Sequence, residues 1–115
     1  MPYIHVSTDA ALDQKQKSDL KAMLGQTIEL LPGKSEAVLM LRIDDQTQMY
    51  FKGEKGNCAI LAVHLYKESP HEAKKAYAKQ VLKQFCELTK LPAERVFMNF
   101  TEHNDWAGNG ALIER

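Results

Sequence analysis

The chain has no surplus of either charge: fifteen Lys and Arg balance fifteen Asp and Glu. No uniform field draws it to nucleic acid or to an anionic membrane, and only a local patch could do so. Cysteine is scarce. Cys58 lies in the apolar run CAILAVHL and Cys86 in KQFCELTK, and neither belongs to a Cys-x-x-Cys, so a redox or zinc centre has no support. Two buried thiols in a reducing compartment are expected instead. The amino end shows no basic stretch followed by an apolar core, so no secretory signal is expected. No apolar run approaches the ~20 residues that span a bilayer. The sequon Asn99–Thr101 (NFT) is then a chance match. These shortages point to a soluble, cytoplasmic protein, with no nucleic-acid or membrane partner and one domain over residues 1–115.

What is present is patterning. Tyr3–Thr8 (YIHVST) alternates apolar and polar residues as a half-buried strand does. Leu20, Met23, Leu24, Ile28 and Leu31 recur at helical spacing, with Asp13 and Gln16 placed to cap the start and Pro32-Gly33 to end the helix. Ala37–Ile43 (AVLMLRI) predicts a strand buried on both faces. A polar connection follows, with a short edge strand at Met49–Phe51, and Cys58–Tyr66 is a further buried strand. SPHE at Ser69–Glu72 predicts a helix start, with Ser69 as N-cap, Pro70 at the first helical position and Glu72 closing the capping box. Ala73, Tyr77, Val81, Phe85 and Leu88 form its inward stripe, LPAE breaks it, and Arg95–Phe100 is the fourth main strand. The glycine-rich tail has room for one short strand at Ala111–Ile113.

Strand–helix–strand therefore occurs twice. The expected fold is α+β: two βαβ units giving a four-stranded mixed sheet with both helices on one face. The strands are apolar throughout, so the other face would be left as exposed hydrophobic surface, which self-association explains best. RNA binding on that face is the weaker alternative, because the strands lack the aromatic-basic consensus of RNA-recognition sheets.

Most apparent motifs fail on their spacing. PGKS resembles the end of a phosphate-binding loop, yet the required glycine five residues before Gly33 is Ile28, and the segment ends a helix rather than starting one. AGNG is too short for a dinucleotide fingerprint. His5, His64, His71 and His103 show no metal spacing; His64 reads as a hydrogen-bonded core residue and His71 as a solvent-exposed one. No metal or cofactor is expected.

Pro2 and Lys34 remain. Pro2 is an ordinary strand-edge proline, or, if Met1 is removed, a free secondary amine on an ordered strand. Lys34 is a cation facing a helix C-terminal dipole, or an ammonium near Pro2 that lowers the amine's pKa and binds an anionic substrate. A neutral amine at pH 7 is what a general base requires.

The segments MPYIHVST, GKSEAVLMLRI, CAILAVHLY, LPAERVFMNF and WAGNGALI together resemble the tautomerase superfamily, specifically the macrophage migration inhibitory factor family, over nearly the whole chain. The resemblance implies a homotrimer whose sheets surround a central channel. It implies that Pro2 is the catalytic base, that Lys34 and the backbone N–H of Tyr66 hold a substrate carboxylate, and that Asn99 enters the pocket from a neighbouring subunit. Three positions depart from the family pattern. A pocket tyrosine is Phe97 here, a C-terminal aromatic falls at Gly108 with Trp106 as its partial replacement, and Ile113 stands where Phe is common. The implied activity is cofactor-free keto–enol tautomerisation of a small anionic α-keto acid of the phenylpyruvate type. The alternative is a trimeric, cytokine-like signalling protein with a vestigial pocket and a protein receptor, released without a signal peptide. Another superfamily reaction, decarboxylation or dehalogenation, is a third, with Arg42 as the extra cation.

Overall fold

The computed structural model describes residues 1–113. The main sheet is built from β1 (Pro2–Thr8), β2 (Met40–Asp44), β5 (Ala59–Tyr66) and β6 (Val96–His103), in the order β2-β1-β5-β6. β1 runs parallel to β2 and antiparallel to β5, which is parallel to β6, so the sheet is mixed as expected. Two helices, α1 (Gln14–Thr27) and α2 (His71–Thr89), make the crossovers. Two small hairpins stand apart from the sheet: β3 (Tyr50–Phe51) with β4 (Glu54–Lys55), and β7 (Ala107–Gly108) with β8 (Ala111–Leu112).

Strand alternation sorts side chains between two faces. Ile4, Val6, Leu61, Val63 and Leu65 are fully or almost fully buried under both helices, against Leu20, Leu24 and Ile28 of the first crossover and Tyr77, Val81 and Phe85 of α2. Each such side chain contributes about 1.5–3 kcal/mol by leaving water. The opposite face carries Tyr3, His5, Ile60, His64, Tyr66, Phe97, Asn99 and His103, all half-buried or exposed. His64 therefore lies on the open face, not in the core.

α1 begins as its sequence dictates. The Gln16 N–H donates to Asp13 Oδ1 at 2.7 Å, and the Asp13 N–H donates back to Gln16 Oε1 at 2.9 Å, a complete capping box. Four other expectations are corrected. α1 stops at Thr27 and tightens into a 3-10 turn over Ile28–Leu30 before Pro32. The strand expected from Ala37 starts only at Met40, because Glu36–Val38 form another 3-10 turn. Within that turn the Glu36 carboxylate lies over Gly25 of α1, where a Cβ would collide with it. Nor is β2 buried on both faces, since it is the sheet edge and Met40 is 67% exposed.

The second helix carries the fourth. Pro70 occupies the N-cap position with no side-chain cap, and the buried Ser69 instead donates its backbone N–H to Glu102 Oε2 at 2.7 Å. Glu102 also accepts from Lys74 Nζ at 2.9 Å, and one carboxylate on β6 thus replaces the capping box. The Ser69 N–H, and after it Lys74, hold the Glu102 carboxyl below its ordinary value. The helix ends on Lys90 in the left-handed conformation. Cys58 is buried and Cys86 only half-buried, and both are free thiols.

Candidate active site

Lys34 is placed by a turn that its own neighbours dictate. The Lys34 N–H donates to the Leu31 carbonyl at 3.1 Å, and Gly33 between them has φ +75°. With Pro32 at the second position this is a type II turn, which needs proline's fixed φ and then a residue free to adopt positive φ. The turn swings the side chain away from the helix end. Lys34 Nζ donates to the carbonyl oxygen of Tyr66 at 3.2 Å, at the C-terminal end of β5.

Pro2 lies at that same end, because its Cα partner in β5 is Leu65, one residue before Tyr66. The nearness of Lys34 to the chain's amino end is visible electrostatically. Partial burial, and then the Lys34 charge, hold the Met1 amino group below the ordinary value of an α-amine. Both causes act by disfavouring the charged form of that amine. Lys34 Nζ, the Tyr66 carbonyl and Pro2 thus lie at one end of the sheet. The Tyr66 hydroxyl is enclosed without a hydrogen-bond partner, and the Lys67 ammonium lies 5.4 Å from its ring centroid.

Phe97 and Asn99 are not brought to this corner. Phe97 is level with Ile60 in β5, five residues before Leu65, so it lies roughly 16 Å along the strand from Pro2 at about 3.3 Å per residue. Its ring is 42% exposed and packs at 4.8 Å on Phe51. Phe51 is held by Arg95, whose guanidinium donates to the carbonyls of Phe51, Glu54, Gly56 and Asn57. Trp106 does lie near the Pro2 end, with its ring edge-on to His103 at 5.5 Å and 75°. His103 is in turn the β6 partner of Tyr66.

His103 is the residue that sequence spacing did not single out. Its Nε2 lies 3.3 Å from His64 Nδ1, and the Tyr3 ring lies 5.5 Å beyond His64. Only the β5–β6 register, invisible in the sequence, sets this histidine beside Tyr66. A cavity of about 520 Å³ opens between α1 and β2, lined by residues that include Lys17, Lys21, Leu39 and Ile43, and it takes in none of the expected site residues. Among the described residues no group of three or more His, Cys, Asp or Glu side chains is arranged to hold a metal ion. No helix among them is long and apolar enough to cross a membrane.

The sequence profile of the macrophage migration inhibitory factor family matches residues 1–112. The chain belongs to that family. Among solved structures, it is similar to MIF2 of Leishmania major (22% identity, 98% of this chain and 97% of that one, TM-score 0.89). It is similar also to the macrophage migration inhibitory factor of Trichinella spiralis (15% identity, 96% and 99% covered, TM-score 0.80). A third likeness is N1, of the cis-3-chloroacrylic acid dehalogenase family (15% identity, 97% and 83% covered, TM-score 0.83). No curated protein is a significant match to the sequence. Identities this low establish a shared fold. Membership of the macrophage migration inhibitory factor family supports a tautomerase or related role.

Proposed function

We propose that the chain, once Met1 is removed, is a cofactor-free keto–enol tautomerase for a small anionic α-keto acid of the phenylpyruvate type, working as a homotrimer. The observation that supports this best is the convergence of the amino end, the Lys34 ammonium and the end of β5 at one corner. Partial burial and the neighbouring cation favour a neutral amine, so Pro2 nitrogen takes the proton from the carbon beside the ketone. Lys34 and the Tyr66 backbone hold the substrate carboxylate, and the Lys34 charge stabilises the enolate as it forms. Phe97 and Asn99 lie too far along the strand to serve their own Pro2 and reach a pocket only in a neighbouring copy. A trimer provides this and covers the open face. Trp106 closes the pocket in the family's missing aromatic position. Two free thiols suit a reducing, cytoplasmic site of action.

The test is enolisation of phenylpyruvate by protein whose intact mass shows Met1 removed. Pro2→Ala, or one residue added before Pro2, abolishes the activity; unchanged rates rule the proposal out. A second role, as a signalling protein with a vestigial pocket and a protein receptor, is favoured by the absence of a hydroxyl at Phe97. Processed protein inert toward a panel of enolisable α-keto acids would support that role instead.

A further inference from the structure

We infer that His64 and His103 form a binding site for a divalent ion of the zinc class on the open face of the sheet. The inference stands apart from the tautomerase reading, which needs no metal. Chain spacing gives no hint of such a site, because the two histidines are 39 residues apart.

Strand register brings them together. In the parallel pair of β5 and β6, His64 is level with Thr101 and Tyr66 with His103. The histidines are therefore diagonal neighbours, and alternation sets both on the face away from the helices, where both are half-buried. The Tyr3 ring stacks on His64 at 5.5 Å, and the Trp106 ring stands edge-on to His103 at 5.5 Å. Each imidazole thus has an aromatic ring packed against it, which narrows the rotamers open to it. The Lys67 N–H donates to the His103 carbonyl at 2.8 Å and ties down the backbone there.

The separation of the two rings is what a metal requires. His64 Nδ1 and His103 Nε2 lie 3.3 Å apart. That is longer than the ~2.7–3.2 Å of a good N–H hydrogen bond. It matches the ~3.3–3.4 Å between two nitrogens held ~2.0–2.1 Å from one tetrahedral ion. Neighbouring positions on a square or octahedral ion would bring the nitrogens to ~2.9 Å, so the gap favours the tetrahedral case. The ring centroids are 5.5 Å apart, well beyond the nitrogen gap, so both nitrogens face into it. A small turn of each ring about χ2, a soft torsion, aims both lone pairs at one point.

The chemistry of the donors selects the ion. Neutral imidazole is the commonest metal ligand, and it suits Zn²⁺ rather than the oxygen-seeking Mg²⁺ and Ca²⁺. Binding requires the tautomers that carry N–H at Nε2 of His64 and at Nδ1 of His103. Among the described residues no third His, Cys, Asp or Glu side chain completes the set. The remaining positions fall to water or a small exogenous donor, which makes the site exchangeable rather than a closed structural one. An ion held there ties β5 to β6. Because it binds the folded chain in preference to the unfolded one, it raises the thermal midpoint.

The experiment is calorimetric titration of the full chain with Zn²⁺, beside thermal melts in Zn²⁺, in Mg²⁺ and in EDTA. Wild type should bind one Zn²⁺ per chain and melt higher in Zn²⁺ than in EDTA, with no rise in Mg²⁺. His64→Gln and His103→Gln should each weaken binding about tenfold or more, through loss of one of two ligands, and erase the rise. Melts in EDTA show that each variant is folded before metal is added. Cys86→Ser and His71→Gln remove a half-buried thiol and an exposed imidazole elsewhere, and should change neither readout. Binding that survives either substitution in the pair, or that is lost in Cys86→Ser, overturns the inference. So does wild type whose midpoint is the same in Zn²⁺, Mg²⁺ and EDTA, a comparison that needs no variant. The tautomerase reading stands under each of these outcomes.

Discussion

The two faces of the sheet are made from the same strands and differ in every physical respect. Under the helices, Ile4, Val6, Leu61, Val63 and Leu65 are closed off from water and carry no polar atom. On the open face, the residues between them are Tyr3, His5, Ile60, His64 and Tyr66, half-exposed and mostly able to hydrogen-bond. Alternation along a strand lets one segment stabilise the fold with one set of side chains and present chemistry with the other. The strand residues of the covered face carry no ionisable side chain at its centre, whereas those of the open face include Tyr3, His5, His64, Tyr66 and His103.

Substitution of adjacent residues tests this division most sharply. Leu61→Ala should cost about 2–5 kcal/mol in a chemical denaturation series, through lost transfer energy and a cavity. Ile60→Ala, one residue away on the open face, should cost only ~1 kcal/mol in the isolated subunit. Under the trimer proposal, its effect grows with protein concentration. Equal costs at all concentrations would abolish the distinction between the faces. Gly25→Ala comes next: the new methyl displaces the Glu36 carboxylate, the free end of an exposed side chain, and alanine's helix preference offsets part of that, so the cost should not exceed ~1 kcal/mol. Because Glu36 belongs to the loop that carries Lys34, KM should rise even though the thermal midpoint barely moves.

Glu102 is the carboxylate that the covered side of β6 does carry, at its rim, and it too should have a small effect. Glu102→Gln weakens the bonds to Ser69 and Lys74 and should cost ~1 kcal/mol at neutral pH, as charge-assisted bonds at a partly exposed site do. Its folded pKa is depressed, so its stabilisation is present above the ordinary Glu value of about 4.3 and is lost as pH falls through the lower folded value. Acid melts of the variant should lack that part of the decline. The smallest effect belongs to Asp44→Asn at the exposed sheet edge. Though Asp44 bonds His5 at 2.7 Å, its loss should leave the thermal midpoint unchanged.

The sequence made local features readable and distant ones not. The Asp13–Gln16 box joins residues three positions apart and forms as written, whereas Pro32-Gly33 makes a tight turn only after the helix has already stopped at Thr27. Ser69 had the same local credentials and lost to Glu102, 33 residues away. β2 likewise starts late, after a turn whose Glu36 packs over Gly25, a contact no periodicity encodes. At the candidate site, strand order places Pro2, Lys34 and Tyr66 together, and the family resemblance gave those residues a meaning. His103 stayed hidden because its neighbours, His64 and Tyr66, are assigned to it only by the register between β5 and β6.

Trp106 is the chain's single tryptophan, and its indole stands edge-on to the His103 ring at 5.5 Å. The protein therefore carries its own optical probe: unlabelled fluorescence reports packing and solvent access at this one corner of the sheet, with no other indole in the background.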